Sequence, residues 1–153
     1  MAAPKVFAKA CAIIQSQSTS GASSIAQHAA QAALDMGPYG GQVVRDMVTE
    51  FEKRRDYVVR RLAAMRGVKI VEPQGAFYAL PDVSSVFGKS IDGVRMENSD
   101  DVVKMIIEKA NVAPVPGEAF GAPECIRISY ACSMDELREA CDRMETRFFD
   151  RVA

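Results

Sequence analysis

Apolar residues recur at helical spacing over the first part of this chain, then change period. Val6, Phe7, Ala10 and Ile13 or Ile14 fall on one face of a helix that Pro4 is placed to open. Gln15 to Gly21 is a polar break. Ser23 or Ser24 can then cap a second helix through Ala33 or Leu34, which Gly37-Pro38 stops. After a turn cluster at residues 37–41, Val44, Met47, Val48, Phe51, Val58, Leu62 and Met65 form one stripe of a long helix over about 43–65. Glu50 and Arg54 make an i,i+4 pair in the favourable order, and Gly67 ends the helix.

Beyond Gly67 the pattern is shorter and alternating. Residues 68–71 and 76–80 read as strands separated by the turn Glu72-Pro-Gln-Gly75, with Pro81 closing the second. The mixed stretch 82–98 reads as a loop. Ser99 is placed to cap a helix to Ala110 with Val102, Val103, Ile106 and Ile107 inside, and Asn111 suits its exit. Residues 112–115 are short and extended, and 125–130 form the clearest strand. Ser133-Met-Asp-Glu136 has the form of a capping box, ahead of a last helix with Leu137, Cys141, Met144 and Phe148 on its inner face. The order from Val68 is ββαββα, an α+β unit in which two helices can cover a small sheet. The first 40 residues, two helices without a strand, do not make a complete unit.

Composition narrows the function classes. The 153 residues are 48% hydrophobic and 25% charged, enough for one compact domain or somewhat more. Nineteen basic against 20 acidic residues give a net charge of −1, so no polybasic field favours nucleic acid or an anionic membrane. No stretch has the length of apolar residues that suggests a membrane span. Cys11, Cys125, Cys132 and Cys141 form no C-x-x-C pair and His28 is the sole histidine, so no metal site is expected. The cysteines read as buried reduced thiols of an intracellular protein, and His28 as a solvated helix position. Residues 1–34 have no acid and are rich in Ala and Ser, as organelle leaders are. Their paired start and stop signals and lack of arginine favour folded helices instead.

Arg127 is the main candidate for chemistry. In Cys125-Ile-Arg-Ile-Ser-Tyr130, Ile126, Ile128 and Tyr130 share one face, and Arg127 and Ser129 the other. A guanidinium on a rigid strand beside a hydroxyl suits a two-pronged grip on a carboxylate. Alternation alone favours the other reading, an arginine on the open face of a strand paired with a surface acid. In the strand Gly75-Ala-Phe-Tyr78, core packing of both Phe77 and Tyr78 is the expected case, the alternative being one in the core and the other lining a pocket. The Gly-punctuated loop Pro116-Gly-Glu-Ala-Phe-Gly121 lacks the spacing of a phosphate-binding loop. One histidine and scattered acids assemble no Ser/His/Asp or paired-carboxylate constellation.

Four motifs stand in a familiar order: Ser20-Gly-Ala-Ser-Ser-Ile-Ala-Gln27, Glu72-Pro-Gln-Gly-Ala-Phe-Tyr78, Val112-Ala-Pro-Val-Pro-Gly-Glu-Ala-Phe-Gly121 and Cys125-Ile-Arg-Ile-Ser-Tyr-Ala131. The chain resembles the C-terminal part of class I, fold-type I aminotransferases. It is most similar to the aspartate and bifunctional aspartate/prephenate subgroup of plants and algae. The resemblance implies the α/β fold of pyridoxal-phosphate-dependent transferases. Residues 1–41 would be the end of the large cofactor-binding domain, 42–66 the interdomain helix and 67–153 the small domain. It implies that Arg127 grips a substrate α-carboxylate and that Phe77 borders the substrate pocket. It further implies a homodimeric full-length enzyme in cytosol or plastid, moving an amino group between an amino acid (aspartate, glutamate or a prephenate-type partner) and a 2-oxo acid.

The resemblance also places the Schiff-base lysine just upstream of Met1, with the main phosphate-binding elements. None of Lys5, Lys9, Lys53, Lys69, Lys89, Lys104 and Lys109 matches it. No catalytic residue and no stable pyridoxal phosphate site is expected in this chain, which alone is expected not to transaminate. The alternative is a non-catalytic binding or dimerisation module derived from an aminotransferase small domain. A portion of a larger fold is expected to expose apolar surface over residues 1–40; an adapted module is not.

Overall fold

The computed structural model describes residues 3–37 and 40–153. It divides into two compact units, Met1–Met47 and Val48–Ala153, and each is taken by itself. The expected stop at Pro38 lies outside the described residues.

In the first unit, α1 spans Lys5–Ser18 and α2 spans Ser24–Asp35. The helix α1 runs into the stretch expected to break it. Ser16 and Ser18 donate their hydroxyls back to the carbonyls of Ile13 and Ile14, so these residues need not leave the helix to satisfy their side chains. Ser23 is the N-cap of α2 by position, without a side-chain hydrogen bond. The apolar face of α1 was expected to be inside, yet neither helix buries a residue. Val6 is 78% and Phe7 66% exposed. An amphipathic stripe is buried only where another element covers it. Cys11 shares that fate and is exposed, against the expectation of a buried thiol.

The helix α3, Gly41–Ala64, begins in the first unit and ends in the second. Its stripe is buried only at its C-terminal end, at Val58 and Leu62, with Met65 following. Of the strand expected at residues 68–71, a single bridge remains, Lys69 to Asp82. Val71 is exposed and has nothing to pack on, so the ladder does not extend. The next strand, β1, is shortened to Tyr78–Ala79. Ala76 has φ +59, in the left-handed region, which breaks extended pairing before Phe77.

The stretch expected as a loop contains a hairpin. Its strands β2, Ser90–Ile91, and β3, Val94–Arg95, pair antiparallel. Asp92 and Gly93 between them both have positive φ, the backbone a tight hairpin turn requires. The helix α4, Ser99–Ala110, is capped by Asn98 and not by Ser99. The Asn98 side chain accepts from the Asp101 N–H at 3.0 Å, while Ser99 is buried in the first turn. Asn111 ends α4 in the left-handed region.

Strands β4, Val115–Pro116, and β5, Ile126–Ser129, complete a three-stranded antiparallel sheet in the order β1-β5-β4. The last helix, α5, is Met134–Arg147, and its capping box forms in full. Ile126, Ile128 and Tyr130 join Leu62 of α3, Val102 and Ile106 of α4, and Leu137, Cys141 and Met144 of α5 in one core. Arg61 fastens α3 to α5, donating to Asp142 at 2.7 Å and Glu145 at 2.8 Å. Burial opposes its charge, but those bonds and one to Tyr57 outweigh it and raise its pKa. The second unit is therefore an α+β layer with the sheet against helices.

Candidate functional site

The strand β5 sits at the centre of the sheet, which fixes both its ends. Ile126 and Ile128 are buried beneath it; on the opposite face Arg127 is half-buried and Ser129 exposed. Tyr78 of β1 lies opposite Ser129, and Val115 of β4 opposite Arg127.

Directly after β4 the chain makes a 3-10 turn, Gly117–Phe120. Gly117 is required there by space. A Cβ would stand 2.2 Å from the Ala122 carbonyl oxygen and 2.4 Å from that of Cys125. Its N–H donates to the same Cys125 oxygen at 2.9 Å, which ties the turn to the start of β5. The turn brings Phe120 back over the sheet. The Arg127 Cζ lies 4.4 Å from the Phe120 ring centroid and 4.5 Å from that of Tyr78, both cation–π distances.

Among the described residues, no carboxylate lies within ion-pair distance of Arg127. The surface-acid pairing that alternation favoured is thus not formed among the described residues. The guanidinium is held by rings, and its in-plane donors face no protein anion. Such a group can take a carboxylate in a two-pronged hydrogen bond.

Phe77 is at the rim, 38% exposed and outside β1. Its ring stacks on Phe51 at 5.8 Å and tilts against Tyr78 at 4.6 Å. The Tyr130 N–H donates to the Phe77 carbonyl at 2.9 Å, and the Tyr130 hydroxyl to that of Ala76 at 3.2 Å. Burial raises the pKa of Tyr130, keeping it a donor. Phe77 and Arg127 thus belong to one row of contacts: Phe51, Phe77, Tyr78, Arg127, Phe120. Beside this row, a cleft of about 190 Å³ opens between Phe51, Arg55, Ala76 and Tyr130. Sequence reasoning missed Phe120. Its one signal was a phenylalanine between two glycines in a loop, with no core periodicity to absorb it.

The remaining reactive groups are placed elsewhere. Cys141 lines an apolar cavity of about 250 Å³ behind β5, and burial pushes its thiol up to about 11. His28 is exposed on α2. Six of the seven lysines are exposed, and Lys109 is paired to Asp92 at 2.6 Å.

Residues 1–144 match the family described as Aminotransferase class I and II. The chain belongs to that family. The chain is 52% identical over 146 residues to an aspartate aminotransferase of Pinus pinaster, with 95% of this chain and 30% of that protein covered. It is 51% identical, over the same shares, to a bifunctional aspartate aminotransferase and glutamate/aspartate-prephenate aminotransferase of Petunia hybrida. The crystal structure of the Rhizobium meliloti aspartate aminotransferase superposes with a TM-score of 0.89 at 40% identity, covering 98% of this chain and 37% of that one. The chain thus spans about 30% of the length of the plant relatives.

Proposed function

We propose that this chain is the substrate-anion-gripping portion of an aminotransferase acting on aspartate, glutamate or a prephenate-type partner and a 2-oxo acid. Arg127 holds the α-carboxylate, and Phe77 lines the pocket. The carrying observation is a half-buried guanidinium with no carboxylate partner among the described residues, on the central strand of a sheet. Residues 42–66 act as the interdomain helix, 67–153 as the small domain and 1–41 as the end of the large domain. The whole enzyme is read as a homodimer in cytosol or plastid, as the family resemblance implies.

Pyridoxal phosphate supplies the electron sink in such enzymes. The residues described here fit the substrate anion and not the cofactor's anchor. A Schiff-base lysine has to be held in a pocket, whereas these lysines are exposed or, for Lys109, ion-paired. The 153-residue chain by itself is therefore inactive, and steady turnover of aspartate and 2-oxoglutarate by the pure chain would overturn this.

The assignment of Arg127 is tested in a chimaera carrying this chain in place of the matching segment of the Pinus pinaster relative. Arg127→Ala weakens amino-acid and oxo-acid binding alike by about 2–5 kcal/mol, the cost of leaving a buried anion unpaired. Unchanged affinity for both removes Arg127 from the site.

A further inference from the structure

We propose that Phe120 and Tyr78 are positioning residues that clamp Arg127 and make its site selective for flat carboxylates over tetrahedral oxyanions. The inference rests on the reading of Arg127 as a carboxylate grip. A half-buried arginine is ordinarily oriented by an acid, which also consumes its donors and neutralises its charge. Here two rings do the orienting, at 4.4 and 4.5 Å from Cζ. They leave the charge and the in-plane donors for a ligand.

The rings arrive from opposite flanks of β5. Tyr78 comes from β1 on one side, and Phe120 from the turn after β4 on the other. Each is itself fixed. Tyr78 is held by its strand register and by the Phe77 ring, and Phe120 by the closely packed turn at Gly117. Phe120 is 47% exposed, so core packing does not account for its position. A cation covered by aromatic faces is open along its edge. A carboxylate can lie in the plane of that edge. A phosphonate can place only two of its oxygens there; its third oxygen and its carbon stand out of the plane, on the sides the rings occupy.

The test uses the 15N-labelled 153-residue chain, following the Arg127 Nε–Hε signal. In the wild type this group has an order parameter near that of rigid backbone, about 0.85. The signal shifts with 2-oxoglutarate at lower concentration than with methylphosphonate. Phe120→Leu and Tyr78→Leu each drop the order parameter below about 0.6. Each also weakens 2-oxoglutarate by roughly 3- to 10-fold and narrows the preference over methylphosphonate, whereas Phe120→Tyr restores all three.

Arg127→Lys, which has no Nε–Hε and is read in both variant and wild type by the backbone N–H signal of Ser129, separates the two levels. If it abolishes the 2-oxoglutarate response while both leucine variants keep wild-type order, affinity and preference, the clamp is wrong and the carboxylate grip stands. If 2-oxoglutarate leaves Arg127 unshifted, or Arg127→Lys binds as wild type does, the grip itself is wrong and the clamp falls with it. Exposure of Phe120 makes Phe120→Leu a variant that folds, and Tyr78→Leu reads the same clamp from the other flank.

Discussion

Gly117 is the residue on which the candidate site turns, because two carbonyl oxygens occupy the space its side chain would need. Gly117→Ala is expected to destabilise the chain by about 1–3 kcal/mol, the range for forcing atoms into filled space. It is also expected to displace Phe120. Chemical denaturation measures the first effect, and a wild-type midpoint would show that the turn relaxes freely. Gly121 is a useful contrast, since it has φ +73 but open space around it, so only backbone strain opposes a substitution there. At this scale the sequence was partly legible. Two-residue alternation put Arg127 and Ser129 on the face opposite Ile126 and Ile128, where they are. It had no means of finding Phe120, whose contact is made by a turn and not by a period. It also placed the cap of α4 on Ser99, one residue late, since Asn98 suits the position as well and only backbone geometry decides.

Among the elements, α5 has the most complete local signal. Ser133 accepts from the Glu136 N–H at 3.2 Å, and the Glu136 carboxylate accepts from the Ser133 N–H at 2.8 Å. Ser133→Ala is expected to cost about 1 kcal/mol at neutral pH. The hydrogen bond from the Ser133 side chain is the main cause holding the Glu136 carboxyl below its usual range; Lys109 does the same for Asp92, and Ser84 for Asp82. A depressed carboxyl contributes stability above its unfolded value and loses it as pH falls through the folded one. The melting midpoint is therefore expected to fall below about pH 4, and the gap between wild type and Ser133→Ala to narrow there. A gap independent of pH would assign the cap to neutral hydrogen bonding alone. Elements carrying their own start or stop signals were legible: α5, the exit of α4 at Asn111, and the long α3. The hairpin of β2 and β3 was not read, although Asp92-Gly93 is a turn signal, because its strands are two residues each and show no alternation.

Taken whole, the molecule distributes its stability unevenly. Every buried hydrophobic residue among the described ones lies between Val58 and Val152. The helices α1 and α2 bury none, and Val6, Ile14, Ile25 and Leu34 are each more than two-thirds exposed. This matches the expectation for a portion of a larger fold. Sequence periodicity identifies a helix face that wants burial, and cannot say whether the covering surface is present. Strong binding of a hydrophobic dye by the native chain is expected. A chain beginning at Val48 should lose most of that binding with little change in melting midpoint. Equal dye binding by both would place the sticky surface on the second unit instead.

The proportions of the sheet set how such stickiness can express itself. Its one strand of any length, β5, is central, and the two edge strands are two residues each. One edge contains Pro116, which has no N–H to offer. An incoming strand finds almost no free ladder to extend, so the sheet is closed to growth at both borders. Copies of this chain that cling together do so through helices. Their clusters should disperse on dilution and should not ripen into fibrils.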